Sequence, residues 1–128
     1  MLKYMPTSST PEAVVQRQLD AYNARDIEAL LAIYADDAET FEHPATLLAH
    51  GTAALRERFL LRFQEPDLHA ALLKRIVMGD IVVDLERVTR TFADGTGTLE
   101  LLMIYEVRNG RIQKAWSIPG AQTLDAPA

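Results

Sequence analysis

The sequence predicts an α+β domain in which N-terminal helices close over a curved antiparallel sheet. Three observations carry that expectation. Helical periodicity is confined to the first half of the chain, β-rich runs joined by tight turns fill the second half, and 128 residues suffice for one core but not for two. Helices first and a meander afterwards gives local connections, unlike the alternating βαβ order of a doubly wound sheet. One domain over 1–128 is expected, ordered from about residue 10 to residue 120 and flanked by short flexible tails.

The first helix opens at Thr10-Pro11-Glu12. Threonine caps free backbone amides, proline tolerates the first helical position, and glutamate suits the positive end of the helix. Val15, Leu19 and Tyr22 then recur at helical spacing. A second helix begins with Asp26 as its cap, and Ile27, Leu30, Leu31 and Tyr34 form one apolar stripe. Asp36 and Asp37 would sit at the negative end of a continuing helix, so the helix is expected to end near Ala35. Ala38 to Glu42 then reads as a short extended segment, and His43 is biased the same way by Pro44. Gly51-Thr52 opens a third helix, with Leu55, Phe59 and Phe63 on one side and Arg56, Glu57 and Arg62 toward water, and Pro66 stops it.

Leu68 to Arg75 has helix formers but reads as strand from its context. Ile76-Val77-Met78 and Ile81-Val82-Val83 flank the tight turn Gly79-Asp80. The second arm of this hairpin runs to about Phe92, and Asp94 to Gly97 makes the next reversal. Leu99 to Val107 is the third long strand, Asn109-Gly110 turns into Arg111 to Ile118, and the chain from Ala121 reads as a tail. Leu101-Leu102-Met103-Ile104 is apolar at both parities, so both sheet faces should be covered there. One face can meet the helices; the other calls for a homodimer through the outer face of the sheet, or else for the C-terminal tail.

Composition narrows the function classes. Hydrophobic content of 48% with 24% charged residues suits a globular chain, and 13 basic against 18 acidic side chains give a net charge of −5. That balance offers no attraction to nucleic acid. There is no cysteine, which excludes disulfides, thiol catalysis and cysteine-bound zinc. Met1 to Met5 lacks the apolar core of a signal peptide, and no stretch is long enough to span a bilayer, so a cytoplasmic protein without membrane attachment is expected. Phosphate-loop, dinucleotide, zinc-protease and serine-hydrolase motifs are all missing, so no cofactor is expected. The glycines of Asp94 to Gly97 lie between strands and read as a hairpin turn. His43, His50 and His69 follow no helical or strand pairing, and no metal site is expected.

His43 is the candidate general base, since imidazole exchanges a proton near neutrality at a pocket mouth; its alternative role is to satisfy backbone groups beside Pro44. Tyr34 points inward, as a pocket group or as a core tyrosine with one hydrogen bond. Gln18 lies beside the buried stripe of helix one, lining a pocket or sitting at its edge. On the strand from Ile81, Val83, Leu85, Arg87 and Thr89 share one face, and Asp84, Glu86, Val88 and Arg90 share the other. If Val83 and Leu85 mark the inner side, Arg87 points into the pocket as an anchor for a carboxylate or enolate; otherwise it reaches solvent or pairs with a glutamate. Met103, Tyr105, His69 and Trp116 are further candidate walls, the last two without an assigned facing.

Asp26-Ile27-Glu28-Ala29 through Tyr34-Ala35-Asp36-Asp37-Ala38, then Phe41-Glu42-His43-Pro44, His50-Gly51 and Asn109-Gly110-Arg111-Ile112, resemble the nuclear transport factor 2-like superfamily. The closest features are similar to its ketosteroid isomerase and SnoaL-like branches, and the resemblance covers nearly the whole chain. It implies a cone-shaped, curved antiparallel sheet of cystatin-like type lidded by three N-terminal helices, commonly dimeric, with a deep apolar pocket. Ketosteroid isomerases carry an aspartate base before the proline that follows the first strand, plus a tyrosine and a protonated aspartic acid on the dienolate oxygen. By the resemblance His43 stands at the base position, Gln18 at the helix-one tyrosine and Met103 near the acid, while Tyr34 matches a supporting tyrosine. Losing both strong donors argues against steroid isomerisation by that route. The expectation is a pocket for a small, largely apolar molecule, with isomerase, cyclase or dehydratase chemistry by proton abstraction next to a carbonyl. The alternative is a non-catalytic ligand-binding or dimerisation module.

Overall fold

The computed structural model describes residues 9–125. The leader reading of Met1 to Met5 and the outermost tail positions, 1–8 and 126–128, lie outside the described residues. Three helices and six strands follow one another as α1 (Pro11–Asn23), α2 (Ile27–Ile33), β1 (Tyr34–Glu42), β2 (Thr46–His50), α3 (Gly51–Arg62), β3 (His69–Met78), β4 (Ile81–Phe92), β5 (Gly95–Arg108) and β6 (Arg111–Leu124).

The helix starts obey their capping residues. The Thr10 hydroxyl accepts from the Ala13 N–H at 3.3 Å, and the Asp26 carboxylate accepts from the Ala29 N–H at 3.1 Å. Helix α2 is shorter than its apolar stripe suggests, because Tyr34 is already extended, at φ −91° and ψ 145°. The stripe's last member therefore reaches the core from the first residue of β1 and is 3% exposed. Two side chains tie the helical layer down. Asn23, at the end of α1, donates to the Ala70 carbonyl at 2.9 Å and accepts from the Ala70 N–H at 2.8 Å, which occupies the edge of β3. Arg25, at a positive φ of 53°, spans to the carbonyls of Phe63, Glu65 and Pro66 beyond α3.

The sheet is mixed, not purely antiparallel, with order β2-β1-β6-β5-β4-β3. The expected meander of four long strands is present as β3 to β6. The expected short extended segment is the nine-residue β1, which lies parallel to β6 with Thr40 opposite Ala115 and Glu42 opposite Ser117. Strand β2 went unread in the sequence because five residues after a turn are too few to show a period. It pairs antiparallel with β1 and forms the outer edge. The end of the chain corrects another expectation: Ala121 to Leu124, read as a tail, continues β6 against β5. There Gly97 is required, since a Cβ would fall 2.2 Å from the Thr123 carbonyl oxygen.

The main core lies between the helices and one face of the sheet. Val14, Val15, Leu30, Leu55, Val82 and Ile112 are at most 1% exposed. Each such aliphatic side chain contributes about 1.5–3 kcal/mol on burial. On the far face, cross-strand register aligns Phe41, Trp116, Ile104, Val83 and Ile76 in one row over five strands, with Ile118, Leu102 and Leu85 beside it. The Phe41 and Trp116 rings stack at 5.8 Å. This apolar outer row accounts for the double parity of Leu101 to Ile104. It also misdirects any inference that the more apolar face of β4 must be the inner one.

Candidate functional site

Strand β4 turns Val82, Asp84, Glu86 and Val88 inward, all at most 4% exposed, while Leu85 and Arg87 are exposed on the outer face. The expected inward Arg87 is thus corrected. The parity is set by charge pairing rather than by apolar count. Asp84, fully buried, receives Nε of Arg75 at 2.7 Å and an Nη at 2.9 Å from the paired position on β3. The other Arg75 Nη donates to Oε1 of Gln16 on α1 at 2.8 Å. A buried pair of this geometry is tolerated because both forks are filled; removing one partner typically costs about 3–5 kcal/mol.

Glu86 has no such compensation. No hydrogen bond or ion pair among the described residues engages its carboxyl, yet no buried polar atom is left both sealed and unsatisfied, so the carboxyl opens into free space. That space is a cavity of about 310 Å³ between α1, α3 and the inner face of the sheet. Burial pushes the Glu86 carboxyl up to about 8, with the Asp84 charge adding to the rise and Arg75 opposing it.

Opposite polar groups come from α1, β1 and β5. Gln18 Nε2 donates to the Tyr34 hydroxyl at 3.3 Å, and the Tyr105 hydroxyl donates to Gln18 Oε1 at 3.2 Å. A glutamine offers one carbonyl oxygen, so it accepts a proton from only one of the two hydroxyls in this bridge. The remaining phenolic proton is available to a third group whichever way the amide is turned. Both phenols are held well above their ordinary range, first by burial and further by the Glu86 charge, so they remain protonated donors. Apolar walls come from Leu55 and Phe59 on α3, Leu99, Leu101 and Met103 on β5, and Val88 on β4. Phe59 is wedged edge-on to Tyr22 at 6.2 Å and tilted to Tyr34 at 5.7 Å, which fixes the helical side of the cavity.

Of the residues singled out from sequence, the structure brings Gln18, Tyr34, Met103 and Tyr105 together on the cavity lining. It does not bring His43 there. His43 is exposed past the end of β1, its N–H bonded to the Ser117 carbonyl at 2.9 Å, and Thr40 and Glu42 before it take the lining positions. His69 is exposed on β3, and His50 precedes α3 with Nδ1 3.1 Å from Oε2 of Glu39. No group of three or more potential metal ligands is assembled among the described residues. Nor is any helix among them long and apolar enough to cross a membrane. Glu86 is the residue that sequence reasoning missed. Its signal was legible as two carboxylates of one parity bracketed by Val82 and Val88, with an arginine facing the first across the hairpin.

A family model described as "SnoaL-like domain" matches residues 15–115. The chain belongs to the SnoaL-like domain family. Solved structures similar to this SnoaL-like domain include an uncharacterised cystatin-fold protein from Novosphingobium aromaticivorans, at 19% identity and a TM-score of 0.79, covering 85% of this chain and 97% of that one. Another is IdmH, a proposed polyketide cyclase from Streptomyces antibioticus, at 21% identity and 0.73, covering 86% and 91%. A third is a proposed ketosteroid isomerase from Kribbella flavida, at 18% identity and 0.73, covering 92% and 83%. At these identities the likeness concerns the fold, which is α+β with cystatin-like and nuclear transport factor 2-like neighbours.

The Glu86 shift has a stability consequence of definite sign. A carboxyl raised from about 4.5 to about 8 holds its proton more tightly in the folded state. Its contribution is full below about pH 4.5, falls as pH rises, and is lost above about 8. Glu86→Gln keeps the neutral shape at every pH. Its stability relative to wild type should therefore grow by about 2.5–3 kcal/mol between pH 6 and pH 9 in urea unfolding. A difference that stays constant over that span would show an ordinary carboxyl.

Proposed function

We propose that this SnoaL-like domain binds a small, largely apolar carbonyl compound in its cavity and moves a proton on the carbon next to the carbonyl. In this reading the curved sheet forms a cone lidded by the three helices, and the lid keeps water from the reacting atoms. The observation that carries it is the buried, unpartnered Glu86 carboxyl opening into the same cavity as the Gln18-bridged tyrosine pair.

The chemistry follows from these groups. With its value near 8, about a tenth of Glu86 is ionised at neutral pH, close to the balance at which a group both takes and returns a proton. The ionised carboxylate removes the proton α to the carbonyl, and the electron pair of the C–H bond moves onto the carbonyl oxygen. The available phenolic proton of the Tyr34 and Tyr105 pair hydrogen-bonds that oxygen, an interaction worth a few kcal/mol in a water-excluded site. Glu86, now a carboxylic acid, then returns the proton to the same carbon or to a conjugated one. Isomerases, cyclases and dehydratases share this first step, and a proposed cyclase and a proposed isomerase among the structural neighbours fit the class. His43 is less suited to the role of base, since an exposed imidazole outside the lining cannot reach an enclosed carbon. The non-catalytic alternative keeps the pocket but not the proton transfer.

The test is deuterium exchange at the α-carbon of a panel of cyclic and aryl ketones, followed by NMR. Wild type should accelerate exchange of at least one bound ketone, and Glu86→Gln should lower that rate by about 10²-fold or more while the ketone still binds. Binding with no exchange above the buffer rate would leave a binding module, and exchange unaffected by Glu86→Gln would remove Glu86 as the base.

A second proposal concerns assembly. We infer that the outer row through Trp116, Ile104 and Val83 pairs with a second copy about a two-fold axis. The row is apolar, while Glu100 facing Arg87 and Glu106 facing Lys114 flank it with both signs of charge, so the face is complementary to itself. Light scattering on a sizing column should give twice the 14.3 kDa chain mass, and Ile104→Glu should give the monomer. A wild-type monomer at about 0.1 mM would overturn the pairing, since obligate homodimers hold together well below that concentration.

A further inference from the structure

The exposed members of the cavity lining, Glu42, Arg58 and Pro119, mark its mouth. Three guanidinium groups stand on this lining, and they are not equivalent. Arg90 is held in a two-pronged pair by Glu65, both contacts at 2.8 Å, and Arg62 reaches the same carboxylate at 3.5 Å and the Tyr22 hydroxyl as well. Arg58 has no hydrogen bond or ion pair among the described residues. Its neighbour one half-turn back on α3, Arg56, turns away to Glu28 at 2.6 Å. The three guanidinium groups of the lining are set against two carboxylates, Glu42 on the lining and Glu65 beside it, and only Glu65 pairs with any of them. One positive charge remains in excess, on a chain whose net charge is −5.

The inner end has the opposite preference. Asp84 forms its ion pair with Arg75, and the buried Glu86 carboxyl beside it disfavours a further negative charge, whereas the tyrosine pair and Gln18 are neutral donors. Leu55, Phe59, Leu101 and Met103 separate the two ends with apolar wall. A ligand that matches all three zones carries its carbonyl inside, an apolar middle, and an anion outside.

We propose that the substrate is an amphipathic keto acid, bound with its ketone against the tyrosine pair and Glu86 and its carboxylate on Arg58. This deepens the proton-transfer reading above and rests on it. A singly charged carboxylate fits the single excess charge, while a phosphate dianion would set a second negative charge against Glu42 and Glu65. Guanidinium and carboxylate match in planar geometry, and at a half-open mouth their attraction is screened by salt. Arg58, not Arg87, is then the residue that anchors the ligand.

The probes are 5-oxo-5-phenylpentanoic acid and its methyl ester, which share the methylene next to the ketone and differ in the negative charge and one methyl group. By calorimetry on the full chain the acid should bind at least about tenfold more tightly than the ester at low salt, with the preference shrinking at about 0.5 M salt. Arg58→Gln should bring the acid down to the affinity of the ester, and Glu86→Gln should keep the preference while stopping α-exchange of the bound acid. Equal affinities in wild type, or an equal loss for both ligands in Arg58→Gln, overturn the anion site. If the ester binds and exchanges as fast as the acid, proton transfer stands and the anion site falls. If the acid is preferred through Arg58 but does not exchange, the anion site stands and proton transfer falls. If neither ligand binds, both fall.

Discussion

The two-pronged bond from Arg75 to Asp84 is the constraint on which the rest of this structure depends. It allows β4 to turn an acidic face inward, and only the first of the two carboxyl groups on that face is neutralised by it. The second, Glu86, is carried inside by the strand's two-residue period and meets a cavity instead of a partner. Asp84 could not be buried alone at a tolerable cost, and burial makes the ionised form of Glu86 costly, so its carboxyl keeps its proton up to about pH 8. The site is therefore a product of strand geometry and incomplete compensation. Gln16 extends the arrangement to α1, so the charge pair also registers the helical layer against the sheet.

Around this carboxyl the polar groups are few and directional. Gln18 links two fully buried tyrosines that come from distant strands, and the geometry of one amide between two hydroxyls leaves one donor unspent. Stacked and edge-on aromatic rings from α1 and α3 hold the opposite wall. The same elements thus provide a largely apolar cavity, a phenolic donor and a carboxyl group, the parts on which the proposed proton transfer rests. Charge then sorts the two ends, with a paired aspartate and a carboxyl that resists ionisation within, and at the mouth a guanidinium without a hydrogen bond or ion pair among the described residues.

Much of the fold was legible in the sequence because its signals are local. The Thr10 and Asp26 caps, the Ile27 to Tyr34 stripe and the Asn109-Gly110 turn each act over a few residues. The features that escaped are those fixed by distant pairing. The parallel contact of β1 with β6 joins segments some 75 residues apart, and the five residues of β2 carry no period of their own. For the site, Gln18, Tyr34, Met103 and Tyr105 could be nominated from helical spacing, strand position and family resemblance. Arg87 points inward only on the premise that the more apolar parity of β4 faces the core, and an apolar outer face defeats that premise. Glu86 escapes for the same reason, since a carboxylate inside a strand reads as solvent-facing unless the arginine opposite its neighbour is taken into account. His43 follows the family position in sequence, but the chain leaves the cavity one residue earlier, at Glu42.

The most direct measurement is a ¹³C NMR titration of the Glu86 side-chain carboxyl in the folded protein, assigned by its disappearance in Glu86→Gln. A midpoint near 8 is expected, in step with the burial and with the Asp84 charge beside it. A midpoint near the ordinary value of about 4.5 would contradict the account, because Glu86 would then be a solvated carboxylate and not the enclosed proton carrier of the cavity.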